Sequence, residues 1–224
     1  MRPIVFGAVL AFTTAAHAGG GIKGSVVFDG EPPAPKKITP TTDTAICGQQ
    51  NLVDESLIVD PKTKGVRSVA IWIKGSKRSK KDEAPIIDNR RCRYEPHLVI
   101  ARAGEPLTIR NRDPFLHTTK AQTDKGKVLF NVALPVRDQT VERKLAKPGA
   151  YELVCDVHTW MKGWALVLED EIATVTADDG TFALTDLPAG MHTLELWHET
   201  LGSKTVTVEA KDGLTAETTI RWKR

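Results

Sequence analysis

The stretch Pro148-Gly149-Ala150-Tyr151-Glu152-Leu153-Val154-Cys155-Asp156-Val157-His158-Thr159-Trp160-Met161-Lys162-Gly163 decides how the rest of the chain is read. It places a thiol, an imidazole and a thioether at C-x2-H-x2-M spacing, on one short loop between two strand-like runs. Soft sulfur donors stabilise Cu(I) while imidazole retains Cu(II), so this set points to copper. Zinc is the rival metal, but it favours Cys, His and carboxylate and has little use for a thioether. A mononuclear blue-copper centre needs two imidazoles and a thiolate near one plane, with Met as a weak axial ligand. The loop lacks one imidazole. The run Asn111-Arg112-Asp113-Pro114-Phe115-Leu116-His117 offers it, because a neighbouring strand end can bring His117 beside the loop. The candidate ligands are therefore His117, Cys155, His158 and Met161.

Outward from this loop, short strand signals separated by Gly, Pro and Asp turns predict an all-β chain. Runs at 25–28, 66–74, 97–101, 106–111, 128–134, 140–145, 151–155 and 163–168 fit one β-sandwich. The run at 66–74 alternates, with Val69, Ile71 and Ile73 on one face and Trp72 on the other. The basic stretch Lys77, Arg78, Lys80 and Lys81 reads as a solvated loop, with a docking patch as the alternative. A second unit begins near Glu169, with strands expected at 173–176, 181–184, 191–198, 204–208 and 215–222. About 55 residues is little for an independent core, so this unit is expected to pack on the first.

The N-terminus reads as an export signal: Arg2, a short apolar run from Ile4 to Phe12, and the small-residue pair in Ala16-His17-Ala18. Cleavage is expected after Ala18. The alternative is a retained anchor, for which the apolar run is short. The expected division is a signal peptide at 1–18, a copper domain at 19–168 and a small sandwich at 169–224, in the periplasm and with no membrane insertion after cleavage. An oxidising compartment gives the three cysteines meaning. A Cys47–Cys92 disulfide plus a metal-bound Cys155 accounts for all three; three unrelated buried thiols is the other reading. Such a cross-link would restrain the unfolded chain by about 4 kcal/mol.

The run Gly104 to His117, the Pro148-Gly149 turn, Tyr151 and the C-x2-H-x2-M loop together resemble the cupredoxins, nearest in loop spacing to the amicyanin and pseudoazurin branch. The whole resembles exported bacterial proteins described as methylamine-utilisation-like or carboxypeptidase-regulatory-like. Their Asp-Val-His-x-Trp-Met loop is followed by a small sandwich, matched here by Asp178 to Phe182, Pro188 to Gly190 and Trp197-His198-Glu199. The resemblance implies a cupredoxin-like Greek-key sandwich followed by a small carboxypeptidase-regulatory-like one. It also implies one type 1 copper held by His117, Cys155, His158 and Met161. One departure stands out: many cupredoxins carry Asn after the first His, tying the two ligand loops together, and here the position is Thr118.

Composition removes other classes. The 224 residues are 41% hydrophobic and 26% charged with net charge +3, and show no basic helix or zinc-finger spacing, which argues against nucleic acid. A multicopper enzyme would need many histidines, commonly as His-x-His pairs; the chain has six, one of them in the leader, and no such pair. The expectation is a non-enzymatic one-electron carrier serving a redox partner such as a c-type cytochrome or a periplasmic oxidoreductase, with the His158 edge as the exit to solvent. The alternative is a copper-holding or envelope interaction module. His97 and His198 are expected to be structural, although His198 beside Glu199 offers a second-metal alternative. Trp160 and Trp164 are expected to flank the site.

Overall fold

The computed structural model describes residues 19–79, 81 and 83–223; the export signal expected at 1–18 lies outside them. The described chain is all-β. In chain order come β1 (Gly20–Phe28), the single helical turn α1 (Thr44–Cys47), β2 (Ala70–Ile73), β3 (Ile86–Arg90), β4 (Arg93–Glu95) and β5 (Leu98–Arg102). Then follow β6 (Pro106–Asn111), β7 (His117–Gln122), β8 (Val128–Leu134), β9 (Thr140–Lys144), β10 (Gly149–Val154) and β11 (Lys162–Leu168). The last are β12 (Ala173–Val175), β13 (Thr181–Leu187), β14 (Gly190–His198), β15 (Gly202–Ala210) and β16 (Thr215–Trp222).

These strands make two sandwiches. The larger faces a five-stranded sheet, β5-β11-β10-β7-β8, against a four-stranded one, β4-β3-β6-β9. Period-2 patterning drives it: β6 and β7 bury every second residue, and Leu107, Ile109, Ala121, Leu134 and Leu153 meet in one core with Cys155 and Met161. This is the two-sheet arrangement expected of a cupredoxin-like unit. The smaller sandwich faces β13-β1-β16 against β12-β2-β14-β15 around Ile22, Val26, Ile71, Leu194, Leu196, Ile220 and Trp222.

The smaller sandwich draws on more of the chain than 169–224. β1 lies between β13 and β16, antiparallel to the first and parallel to the second, and β2 lies between β12 and β14. Both β1 and β2 belong to the part of the chain assigned from sequence to the copper unit. The physical reason is the one that makes 55 residues too few: the C-terminal strands cannot cover their apolar faces alone, and Ile22, Val26, Ile71 and Ile73 complete the core. The sandwiches meet through Ala70, Leu98, Leu166 and Leu168, with Trp164 edge-on to Trp197 at 5.2 Å between ring centroids. Trp164 therefore belongs to this junction and not to the rim of the ligand loop. Arg78 also departs from the solvated loop expected of it: its side chain is buried and its guanidinium bonds Asp170 at 2.7 Å and Glu105 at 3.4 Å.

Candidate metal centre

β10 runs out at Val154, and the chain turns back into β11 through Cys155 to Met161. The turn is tight because the Met161 N–H donates to the His158 carbonyl at 2.8 Å and the His158 N–H points at Cys155 Sγ at 3.4 Å. β7 lies beside β10, so its first residue, His117, arrives at the same end of the sheet. His117 is the first residue of that strand. The ligand-type atoms of His117, Cys155 and His158 all lie within 4.8 Å of one another, and all three residues are buried. Met161, 1% exposed, sits in the same core.

Both imidazoles are oriented from outside. His117 Nε2 is 3.1 Å from Asp113 Oδ2, and His158 Nε2 is 2.9 Å from Asp43 Oδ2. A carboxylate only accepts, so the shared proton belongs to Nε2 and the Nδ1 lone pair faces the other way. His158 Nδ1 lies 3.7 Å from Cys155 Sγ, and His117 Nδ1 is buried with no protein partner. Carboxylate–histidine pairs of this kind fix the tautomer and ring orientation that a metal requires. Asp113 is itself anchored, accepting the Arg91 N–H at Oδ1 and the Cys92 N–H at Oδ2, each at 2.9 Å. Phe115 stacks obliquely on both rings, 5.1 Å from His117 and 5.4 Å from His158, and Trp160 lies 5.2 Å from His158.

The sulfur is prepared in the same way. Burial pushes the Cys155 thiol up, but the polar surroundings of the sulfur, with the backbone N–H groups of Thr118 and His158 aimed at it, outweigh burial and bring it down to about 5. Burial also disfavours charge on His117, yet Asp113 and Cys155 together raise its pKa. Thr118 performs the tie that the unusual residue put in question. Its hydroxyl accepts the Asp156 N–H at 2.7 Å and reaches Cys155 Sγ at 3.7 Å, and its own N–H points at the same sulfur at 3.4 Å. The strand carrying His117 is thereby laced to the loop carrying Cys155.

Cys47 and Cys92 form a disulfide, leaving Cys155 as the free thiol. Two sequence expectations about histidines change or sharpen. His158 has no exposed surface, so its edge is not the exit to solvent that its loop position implied; Asp43 covers it. His97 and His198 stand apart from the ligand group, at the seam between the sandwiches. His97 Nε2 makes a very short contact with Glu199, and its Nδ1 is 4.0 Å from Glu55. His198 Nδ1 accepts the N–H groups of Thr200 and Leu201 at 3.2 and 3.3 Å, so that lone pair is already engaged. Sequence reasoning missed Asp113 and Asp43. Asp113 carried a faint signal, four residues before His117; Asp43 is 115 positions from its imidazole and carried none.

No family model and no curated protein matches this chain. Solved structures similar to part of it include a purple cupredoxin from Nitrosopumilus maritimus, at 25% identity and TM-score 0.34, covering 38% of this chain and 99% of that one. A reduced amicyanin variant is 19% identical at TM-score 0.35, covering 44% and 98%. A copper-containing nitrite reductase from Thermus scotoductus SA-01 is 18% identical at TM-score 0.33, covering 41% of this chain and 24% of that one. Each likeness is confined to less than half of this chain. No helix among the described residues is long and apolar enough to cross a membrane.

Proposed function

We propose that the chain is a mononuclear copper protein of the bacterial periplasm that carries one electron, its metal held by His117, Cys155, His158 and Met161. The observation that carries this reading is the convergence on one buried cysteine sulfur of two imidazoles whose outer nitrogens are both held by carboxylates. The donor set fits the group: two nitrogens and a thiolate suit the near-planar positions, and a thioether suits the weak axial one. Copper bound there would supply a one-electron couple between Cu(I) and Cu(II). The chain's part is to hold the donors still, exclude water and keep Cys155 deprotonated. Buried donors with fixed tautomers need little rearrangement between oxidation states. Leu116 beside His117, and Val136 two residues beyond the strand partner of His117, are exposed apolar side chains at this end of the sheet. They suit contact with a redox partner such as a c-type cytochrome or a periplasmic oxidoreductase. In this reading the smaller sandwich, with its resemblance to carboxypeptidase-regulatory-like units, packs and orients the copper unit and binds no metal.

Copper titration tests the assignment. The purified protein should bind one equivalent of Cu(II) and develop an intense visible band, because a short copper–thiolate bond gives sulfur-to-metal charge transfer. Cys155→Ser should lose the band, and Met161→Leu should keep copper but shift the potential. A full band in Cys155→Ser would overturn the assignment. The covered His158 favours a second reading, a copper-holding module without electron transfer. Stopped-flow reduction by a c-type cytochrome separates the two: a carrier exchanges electrons rapidly, and a holder does not.

A further inference from the structure

The cover over His158 is assembled from a distant part of the chain. Asp43 sits in the left-handed region, at φ 47° and ψ 40°, where a residue with a Cβ costs on the order of 1 kcal/mol. Its backbone carbonyl accepts the N–H groups of Ile46 and Cys47 at 3.0 and 2.9 Å, which starts α1. Cys47 at the end of that turn is joined to Cys92. Cys92 in turn donates its N–H to Asp113, the carboxylate on His117, and its carbonyl accepts the Trp160 indole N–H at 3.1 Å. One disulfide therefore links the segment that supplies Asp43 to the turn that holds Asp113 by its N–H groups, and it also braces the indole that lies against His158.

We propose that Asp43 is a positioning residue for His158. Its carboxylate accepts the Nε2 proton, which keeps Nδ1 turned toward Cys155 and closes the ring's outer edge to water and to added ligands; the Cys47–Cys92 disulfide holds the carboxylate there. The inference rests on the copper reading for its purpose, but the hold on the ring is a property of the metal-free chain. The geometry argues for function over accident. The contact brings a carboxyl from a largely exposed segment onto a fully buried ring, and it does so from a left-handed backbone position that the fold must maintain.

Two variants test it. Asp43→Gly removes the carboxylate while accepting the left-handed backbone. Asp43→Asn keeps an acceptor oxygen and tolerates the same backbone. In the metal-free wild type, ring 1H–15N spectra should show His158 as a single Nε2–H tautomer protected from exchange. The Gly variant should show mixed tautomers and fast exchange, and the Asn variant should resemble the wild type. In the copper-loaded proteins, the Gly variant should lose copper to a chelator about 10- to 100-fold more readily. Its visible band should also shift on adding free imidazole, while the wild-type band stays fixed. The Cys47→Ser/Cys92→Ser double variant should follow the Gly variant in both tests. A Gly variant with the wild-type tautomer and wild-type copper retention would overturn the proposal, as would an Asn variant as impaired as Gly. If the wild type fails to bind copper with a visible band, the copper reading fails, while the ring spectra still decide the role of Asp43.

Discussion

His198 shows how one side chain sets a pH limit on the whole protein. It is 2% exposed, and its Nδ1 accepts two N–H groups from the turn after β14. Protonating it would bury a charge and break both bonds. Burial accordingly drives its pKa down from 6.5 to about 4; nearby Glu199 opposes this and His97 adds to it. Between those two values the unfolded chain takes up a proton that the folded chain refuses. Stability from this source is thus intact above pH 6.5 and is lost as pH falls toward 4. By pH 4.5 the loss should reach roughly 2–3 kcal/mol, at 1.36 kcal/mol per unit. Urea unfolding at pH 7 and 4.5 should show that extra loss in the wild type and not in His198→Asn; equal pH slopes would refute it. The candidate ligand group was readable from sequence because Cys155, His158 and Met161 are near neighbours, and only His117 had to be brought to them by folding. Of the carboxylates behind them, Asp113 left only a faint i,i+4 trace and Asp43 left none, since a hydrogen bond over 115 positions makes no local pattern.

Among the elements, strands with apolar inward faces declared themselves and polar ones did not. β14 alternates as expected, burying Leu194, Leu196 and His198 on one face. β7 was missed because its inward residues are His117, Thr119 and Ala121, which carry no hydrophobic period. β3 was missed for a related reason: one of its two buried positions is Asn89, bonded to Thr119 and to the Arg110 carbonyl. The expected strand at 66–74 shortens to Ala70–Ile73, because residues before it turn aside to meet the loop between β12 and β13. At that meeting a Cβ on Gly65 would lie 1.7 Å from the Asp179 carbonyl oxygen, with Gly180 packed opposite at φ +80°. Backbone on both sides cannot yield as a flexible side chain would. Gly65→Ala should therefore cost at least about 2 kcal/mol in chemical denaturation. A loss below a few tenths would show that the loop has room to move.

At the scale of the molecule, the two sandwiches share one chain in an interleaved order, and neither ordinary division of the sequence yields both. A fragment of residues 19–168 should be poorly soluble or self-associating, since Ile22, Val26, Ile71 and Ile73 would lose β12 to β16 as cover. Sedimentation velocity on that fragment is the check, and a stable monomer with the full chain's copper stoichiometry would contradict it. The same interleaving has a consequence in time. β1 is the first of the described strands to be synthesised, and it is the middle strand of its sheet, with β13 on one edge and β16 on the other. Its partners follow more than 150 residues later, so at about 5–20 residues per second both of its edges stay open for on the order of ten seconds or longer. Contacts so distant in sequence also slow folding, because the loop must close before the pairing repays it. The strand that anchors the finished protein is therefore, during its making, the segment most exposed to pairing with another chain.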